Sequence, residues 1–152
     1  MTYTEVKLNK PVLTEGSSGA NVKELQILLK DSYHLYTDAI DGVFGANTRN
    51  AVKAYQHRVF LNEDGIVEDK TWLALYKGAP IGMPILKEGD KGDLVMLVQK
   101  IVIGSKDYRG KIDGKFGSDT EKAVKALQKR TGLPTDGIVE DRTWYELSKL
   151  PH

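Results

Sequence analysis

Apolar residues recur at intervals of three and four residues in six segments of this 152-residue chain, which is the spacing of an amphipathic helix. The segments predict helices over residues 20–31, 46–58, 68–76, 93–103, 118–130 and 140–149. At the start of the fifth helix, Ser118 and Glu121 form an S-x-x-E pattern, which predicts a capping box. The pattern therefore indicates an all-α fold with three helices in each half of the chain.

The two halves are copies of one sequence unit. KPVLTEGSSG, which ends at Gly19, aligns with MPILKEGDKG, which ends at Gly92, at an offset of 73 residues. DGVFGANTRNAVKAYQ from Asp41 aligns with DGKFGSDTEKAVKALQ from Asp113 at an offset of 72, so the second copy has one residue fewer between these blocks. A last block, DGIVEDKTWLAL against DGIVEDRTWYEL, is identical at 9 of 12 positions. Such an internal repeat decides the domain organisation.

The repeats divide the chain into four parts. We predict an N-terminal arm over residues 1–10, a first repeat over 11–76, a linker over 77–83 and a second repeat over 84–150. The linker reads KGAPIGM, and its Gly and Pro content favours a loop. Each repeat contains three predicted helices, so we expect two tandem three-helix bundles. The size of each repeat is near the lower limit for an independent hydrophobic core.

A smaller unit, D-G-x-apolar-x-x-x-T-x-x-x-apolar, occurs four times, and its copies begin at Asp41, Asp64, Asp113 and Asp136. An Asp side chain accepts hydrogen bonds from nearby backbone N–H groups and Gly tolerates φ > 0, so the unit predicts a turn that leads into a helix. Four equivalent turns indicate scaffolding, because a glycosidase needs two carboxyl groups in different environments. Four glutamines at matching places predict buried amides that bond to loop backbone: Gln26, Gln56, Gln99 and Gln128.

The larger blocks follow the order G-x-x-G, V-x-x-L-Q, D-G-x-F-G-x-x-T-x-x-A-V-x-x-Y/L-Q and L-x-x-D-G-I-V-x-x-x-T-W-x-x-L. In this order they resemble the bacterial peptidoglycan-binding domain of the three-helix type, as appended to cell-wall hydrolases. The resemblance occurs twice and covers nearly all of residues 11–150. Its departures are Val98 in place of Leu25, and Phe60-Leu61-Asn62 in place of Gly132-Leu133-Pro134. The resemblance implies a noncatalytic module that holds a wall hydrolase, or another partner, on peptidoglycan.

Composition argues against several other classes of function. Twenty-two Lys and Arg against 21 Asp and Glu leave a formal charge of +1, which disfavours a dedicated nucleic-acid binder. The chain has no Cys, and its three His residues lack the spacing of zinc ligands, so we expect no metal, no cofactor and no enzymatic activity. No apolar run approaches the ~20 residues of a membrane span, and the first residues lack the apolar segment of a secretory signal.

Candidate ligand residues lie in the loop between the first two helices of each repeat and on the outer face of the second helix. Tyrosine rings can contact sugar faces, and Lys or Arg can bind stem-peptide carboxylates. The candidates are Tyr33, Tyr36, Arg49, Lys53, Tyr108, Arg109, Lys115, Lys122 and Lys125. The opposing interpretation is that exposed cations on a helix are only solvated. Trp72 and Trp144 fall on the inward phase of the third helix of each repeat, which favours core packing over sugar stacking.

The two repeats differ in charge. Residues 11–76 carry 6 basic and 9 acidic side chains, a net charge of −3, whereas residues 84–150 carry 13 basic and 11 acidic side chains, a net charge of +2. The second repeat is therefore better suited to a wall polymer that carries carboxylates.

The predicted helix over 93–103 has a second apolar stripe, formed by Leu94, Leu97 and Ile101, beside its core stripe. A helix with two apolar faces buries both or presents one to a partner. We predict that this stripe packs against the first repeat, the linker or the N-terminal arm. A bare stripe would instead indicate an additional catalytic domain or a dimer.

Two functions from different classes stay open. The first is a tandem wall-binding module in which two weak sites act together, because linkage raises the effective concentration for the second contact. Its place would be the cell wall or the extracellular space, as a phage product or as part of a larger wall protein. The alternative is a protein–protein interaction or assembly module that uses the apolar second face of the helix over 93–103. A nucleic-acid role for the basic face of the fifth helix is weaker.

Overall fold

The computed structural model describes residues 9–105, 107–108 and 110–152, so most of the predicted N-terminal arm and the candidate Arg109 lie outside the described residues. The chain divides into two compact units between Gly82 and Met83. Three α-helices lie in the described part of each unit, so the predicted all-α fold of two three-helix repeats is confirmed. Among the described residues, no helix is both long and apolar enough to cross a membrane.

The first unit contains α1 (Ala20–Ile27), which continues into a π-helical segment (Leu28–Ser32), then α2 (Ala46–Arg58) and α3 (Asp69–Lys77). Apolar residues at the predicted spacing turn inward from all three helices and form one hydrophobic cluster. Its members include Val22, Leu25, Leu29, Val52, Tyr55, Trp72 and Leu75. Burial of each large apolar side chain stabilises the fold by roughly 1.5–3 kcal/mol.

The second unit repeats this arrangement with α4 (Asp93–Gly104), α5 (Ser118–Arg130) and α6 (Asp141–Ser148). The equivalent inward positions are again buried: Val95, Val98, Val102, Phe116, Val124, Leu127, Trp144 and Leu147. The helix bounds lie within a few residues of those predicted, because the apolar spacing that defines the prediction is also what buries these faces.

A pair of backbone hydrogen bonds ties the N-terminal segment of each unit to the loop before its third helix. Leu13 and Val67 exchange N–H···O bonds of 3.1 and 2.8 Å. Leu86 and Val139 exchange equivalent bonds of 2.9 and 2.8 Å. These bridges close each three-helix unit around its core.

The π-helical segment Leu28–Ser32 takes up the additional residue of the first repeat. The Leu29 carbonyl accepts the Tyr36 N–H at 3.3 Å, and the Val102 carbonyl accepts the Tyr108 N–H at 3.1 Å. Leu29 and Val102 match at the offset of 73, whereas Tyr36 and Tyr108 match at 72, so the extra residue lies between Leu29 and Tyr36. A π turn closes over five residues instead of four, and it therefore accommodates the insertion within the helix.

The predicted capping box at the start of α5 is wrong. The N-cap position is occupied by Gly117, and no side chain caps the helix. Ser118 is therefore the first helical residue, one position too late to act as the cap. The Glu121 carboxylate instead lies 3.3 Å from the Lys125 Nζ, at the i,i+4 spacing of a helix-surface ion pair.

Candidate functional site

The Asp–Gly turns are each closed around a buried glutamine. In the first turn, the Gln26 Nε2 lies 3.0 Å from Asp41 Oδ1, 3.0 Å from the Val43 carbonyl and 3.1 Å from Thr48 Oγ1. The Gly42 N–H donates to the Gln26 Oε1 at 3.0 Å. The side-chain amide of Gln26 thus joins the loop backbone to the first turn of α2.

The same four contacts recur around the other three glutamines. We call the four sets amide clusters, and each joins one glutamine to the Asp, Gly and Thr of one turn unit: Gln26 to the unit at Asp41, Gln56 to that at Asp64, Gln99 to that at Asp113 and Gln128 to that at Asp136. Each glutamine is at most 2% exposed. A buried amide with every polar atom paired fixes geometry and offers nothing to a substrate.

Contacts within the loop lower the pKa of three turn carboxylates, those of Asp41, Asp113 and Asp136. The Val43 N–H and then the Gln26 amide lower the pKa of Asp41. The Lys115 N–H and then the Gln99 amide do the same for Asp113. For Asp136 the main cause of the lowered pKa is the Ile138 N–H. A general acid at neutral pH needs a raised pKa, so this arrangement favours a structural role.

Both tryptophans are fully buried and are fixed by one hydrogen bond each. The Trp72 indole N–H donates to the Pro11 carbonyl at 3.0 Å. The Trp144 indole N–H donates to the Pro84 carbonyl at 2.8 Å. Neither indole ring offers a face to a sugar.

One open cavity occurs at the same place in both units, between the loop that follows the first helix and the first turns of the second helix. We call these cavities the loop pockets. The first has a volume of about 290 Å³ and is lined by Leu35, Tyr36, Thr37, Asp38, Asn47, Asn50 and Ala51. The second has a volume of about 310 Å³ and is lined by Asp107, Tyr108, Gly110, Asp119 and Lys122. All five residues of the second pocket match lining residues of the first at the offset of 72.

The first loop pocket has amide and hydroxyl chemistry with one carboxylate. The Asn47 side-chain amide donates to the Asp38 carboxylate. The Lys30 ammonium lies 3.0 Å from the Asp38 carbonyl, on the loop beside the pocket. The amide of Asn50 and the hydroxyl of Thr37 are exposed at the rim. This pocket therefore presents mainly uncharged hydrogen-bonding groups.

The second loop pocket has charges of both signs. Asp107 is engaged by its own unit, because its Oδ2 lies 2.5 Å from Arg130 Nη2 and 2.5 Å from Ser105 Oγ. Asp119 and Lys122 are exposed and lie three residues apart on α5. This pocket therefore presents a carboxylate and an ammonium to solvent.

Two predicted ligand residues, Tyr36 and Tyr108, are buried in the structure, although we expected them at the surface. Tyr36 is 5% exposed and Tyr108 is 6% exposed. Their hydroxyl groups donate to the carbonyls of Ala39 and Lys111 at 2.8 and 2.5 Å. The rings form the inner walls of the loop pockets, because the loop folds back over them, and the prediction that they present open faces to a sugar does not fit this burial.

The other predicted residues of the first repeat do not line the first loop pocket. Tyr33 is half-buried, its ring centroid lies 4.5 Å from that of Tyr55, and its hydroxyl donates to the Leu75 carbonyl. Arg49 is exposed, with its Nε 4.0 Å from a Glu15 carboxylate oxygen. Arg49 and Lys53 both pack beside Gly65 of the second Asp–Gly turn.

In the second repeat, the described predicted cations have different neighbours. Lys125 pairs with Glu121 beside the last Asp–Gly turn. Lys115 is exposed, and its backbone N–H donates to Asp113 Oδ1 at 2.9 Å. Lys122 lines the second loop pocket. Among the described predicted cations, Lys122 is the one that lines a loop pocket.

Sequence reasoning missed the polar lining residues Asp38, Asn47, Asn50 and Asp119. On a helix surface such residues look like ordinary solvated positions. The signal that could have found them is the alignment of the repeats, because Asn47 and Asn50 match Asp119 and Lys122 at positions that both face a loop.

The second apolar stripe of α4 is not bare. Ile101 is 1% exposed, and Leu94 and Leu97 are half-buried. Its packing against the first repeat, the linker or the N-terminal arm stays a prediction. Among the described residues, no cluster of His, Cys, Asp or Glu could hold a metal ion.

Known proteins share both repeats. Residues 18–75 and 91–147 match the family described as "Putative peptidoglycan binding domain". The chain is 30% identical, over 91% of its length and 45% of the relative's, to a "Probable N-acetylmuramoyl-L-alanine amidase" of Bacillus licheniformis. It is 30% identical, over 90% of its length and 43% of the relative's, to a spore cortex-lytic enzyme of Halalkalibacterium halodurans.

One solved structure, the SleB N-terminal domain, is 38% identical with a TM-score of 0.45, over 47% of this chain and 97% of that one. The chain spans about half the length of the curated relatives it matches.

Proposed function

Because the chain belongs to this family of peptidoglycan-binding domains, in two tandem copies, we propose that it is a noncatalytic module that binds peptidoglycan and keeps a partner on the cell wall. The partner that we propose is a wall hydrolase, as a domain of the same polypeptide or as a separate protein. The relatives support this, because they are named as an amidase and a cortex-lytic enzyme and the match covers under half of each.

The observation that carries the proposal is the pair of loop pockets. Two cavities of about 290 and 310 Å³ occur at equivalent positions and are open to solvent. A linear polymer with a repeating disaccharide–peptide unit offers the same ligand many times, so two linked weak sites gain affinity through effective concentration. We therefore place the ligand contacts at the loop pockets, with Asn50 in the first and Lys122 in the second.

The chemistry of the described residues supports a noncatalytic role. The four turn carboxylates are bonded to their own loops and amide clusters. Two common hydrolase sites are a metal-bound water and a pair of carboxyl groups across a cleft. Among the described residues no cluster could hold a metal ion, and the turn aspartates occupy four separate equivalent sites.

The test is sedimentation of the full chain with purified peptidoglycan sacculi. We expect the chain to pellet with sacculi and to remain in solution with microcrystalline cellulose, and we expect no soluble muropeptides to be released. The informative variant combines Asn50→Ala with Lys122→Ala, which alters both loop pockets. Its matched control combines Asn62→Ala with Lys129→Ala, which are exposed residues of the same types outside the loop pockets.

Each pocket change alone should weaken binding, and the two together should reduce it more than either alone, because linkage between the sites is lost. The control should bind as the unaltered chain does. A chain that fails to pellet, or a pocket variant that pellets like the control, would contradict the proposal.

A further inference from the structure

The two loop pockets differ in charge at two exactly matched helix positions. Asn47 and Asn50 in the first repeat correspond to Asp119 and Lys122 in the second. In each pair the residues lie three positions apart, which places their Cβ atoms about 5–6 Å from each other on one helix face. The second repeat therefore has a pair of oppositely charged side chains where the first repeat has a pair of amides.

The charged pair is available to a ligand. Asp107, the other acidic residue of the second pocket, is occupied by Arg130 and Ser105. Within the described part of the chain, neither the Asp119 carboxylate nor the Lys122 ammonium has an ion-pair partner. A carboxylate and an ammonium at this separation match a group that carries one ammonium and one carboxylate on the same carbon.

We propose that the second loop pocket binds the free zwitterionic end of a diamino dicarboxylic acid side chain in a stem peptide, with its ammonium on Asp119 and its carboxylate on Lys122. The first loop pocket binds an uncharged amide or acetamido group of the polymer through Asn50. This inference rests on the proposed function, and it assigns the two repeats to different parts of one repeating ligand.

The first pocket cannot hold the same group equally well. Its amide at position 50 carries no positive charge for a carboxylate, and its Asn47 side chain already donates to Asp38. Charge-assisted hydrogen bonds are roughly twice as strong as neutral ones, so the zwitterion prefers the second pocket.

The experiment measures binding of soluble disaccharide tripeptides to the full chain by isothermal titration calorimetry. Three probes are compared: one with a free zwitterionic end, one with that ammonium acetylated and one with that carboxylate amidated. We expect each modification to weaken binding about tenfold or more, which corresponds to the loss of about one hydrogen bond to a charged group.

The double variant Asp119→Asn and Lys122→Asn makes the second pocket resemble the first. It should lose the preference for the free probe, so that all three probes bind with nearly equal affinity. Its matched control is Glu146→Gln with Lys149→Gln, an i,i+3 pair of opposite charges outside the loop pockets, with 3.2 Å between its charged atoms. The control should keep the preference.

The reciprocal variant, Asn47→Asp with Asn50→Lys and with Asp38→Gly to match Gly110, should raise the affinity for the free probe, because it gives the first pocket the charged pair without a second carboxylate beside Asn47→Asp. Equal binding of all three probes, or a preference that survives in the second-pocket variant, would overturn this inference while binding to sacculi still supports the proposed function. A chain that binds neither probes nor sacculi would overturn both.

Discussion

Replacement of Gln128 by Met tests whether the amide clusters hold the units together. Met is similar to Gln in length and is also unbranched, so the change removes the amide and leaves the volume nearly unaltered. The Gln128 Nε2 contacts Asp136 Oδ1, the Ile138 carbonyl and Thr143 Oγ1 at 2.9, 2.9 and 3.1 Å, and its Oε1 accepts the Gly137 N–H at 2.9 Å. All of these contacts are lost.

The expected cost follows from the number of groups left without a partner. The buried Gly137 N–H loses its acceptor, at about 1–3 kcal/mol, and each further hydrogen bond contributes about 0.5–1.5 kcal/mol. We therefore expect the free energy of unfolding of the second unit to fall by about 2.5–7.5 kcal/mol. A domain of this size has a total stability of roughly 4–10 kcal/mol, so the loss removes a large part of that stability and lowers the melting temperature by roughly 10 °C or more.

The assay is urea unfolding followed by tryptophan fluorescence in the Trp72→Phe background, where buried Trp144 reports on the second unit. The control is Lys129→Met, which places the same side chain at an exposed position of the same helix and should change stability by less than about 0.5 kcal/mol. If Gln128→Met costs no more than Lys129→Met, the amide clusters do not stabilise the fold in the way described.

Replacement of Gln128 by Glu tests the same hydrogen bonds through the pH dependence of stability. Gln128→Glu places a carboxylate oxygen where the amide donated to Asp136, so the pKa of the new Glu should be raised in the folded state above its unfolded value of about 4.3. The variant should be most destabilised above this raised pKa, and the loss should shrink as the pH falls toward about 4. Gln128→Met has no such titration, so a constant difference between the two variants across pH would refute the reasoning.

Three further predictions concern acid stability, a left-handed turn and a buried tyrosine. The pKa values of Asp41, Asp113 and Asp136 are lowered from 3.8 by folding; this contribution to stability is therefore present above about pH 4 and lost as the pH falls through the folded values. The urea midpoint should drop below about pH 4, and less steeply in the triple Asp→Asn variant; equal slopes would contradict this. Gly132→Ala should cost about 1 kcal/mol in urea unfolding, because φ at Gly132 is +77°; an unchanged midpoint would argue against it. Tyr108→Phe should lower stability by about 1 kcal/mol and leave sedimentation with sacculi unchanged; lost binding with unchanged stability would restore Tyr108 as a ligand residue.

Apolar spacing and the repeats predicted the fold well, because each helix buries one face against a core formed by its own unit. The offset change from 73 to 72 showed that one residue had been inserted, but it could not show that a π-helical segment accommodates it. The choice between an α turn followed by a longer loop and a π turn depends on the packing around Leu29 and Tyr36, which the sequence pattern does not contain.

The predicted ligand residues Tyr36, Tyr108 and Lys122 line the loop pockets, and their role in binding stays a prediction. The loop between the first two helices was expected to carry the ligand contacts, and both loop pockets lie there. We predicted that Tyr36 and Tyr108 lie at the surface. Both repeats have Tyr at this aligned position, however, and such a shared residue is typical of the core of a repeat. Asn50 and Lys122 differ between the repeats, and only the fold shows that both face a cavity.

The most direct test of the central claim is a titration of the ¹⁵N-labelled full chain with a soluble disaccharide tripeptide, followed by amide chemical shifts. The account predicts that the largest changes occur at the two loop pockets, at the amides of residues 37–38 and 47–50 and of residues 119–122. Changes that concentrate instead at the Asp–Gly turns, or a spectrum that does not respond to saturating ligand, would contradict it.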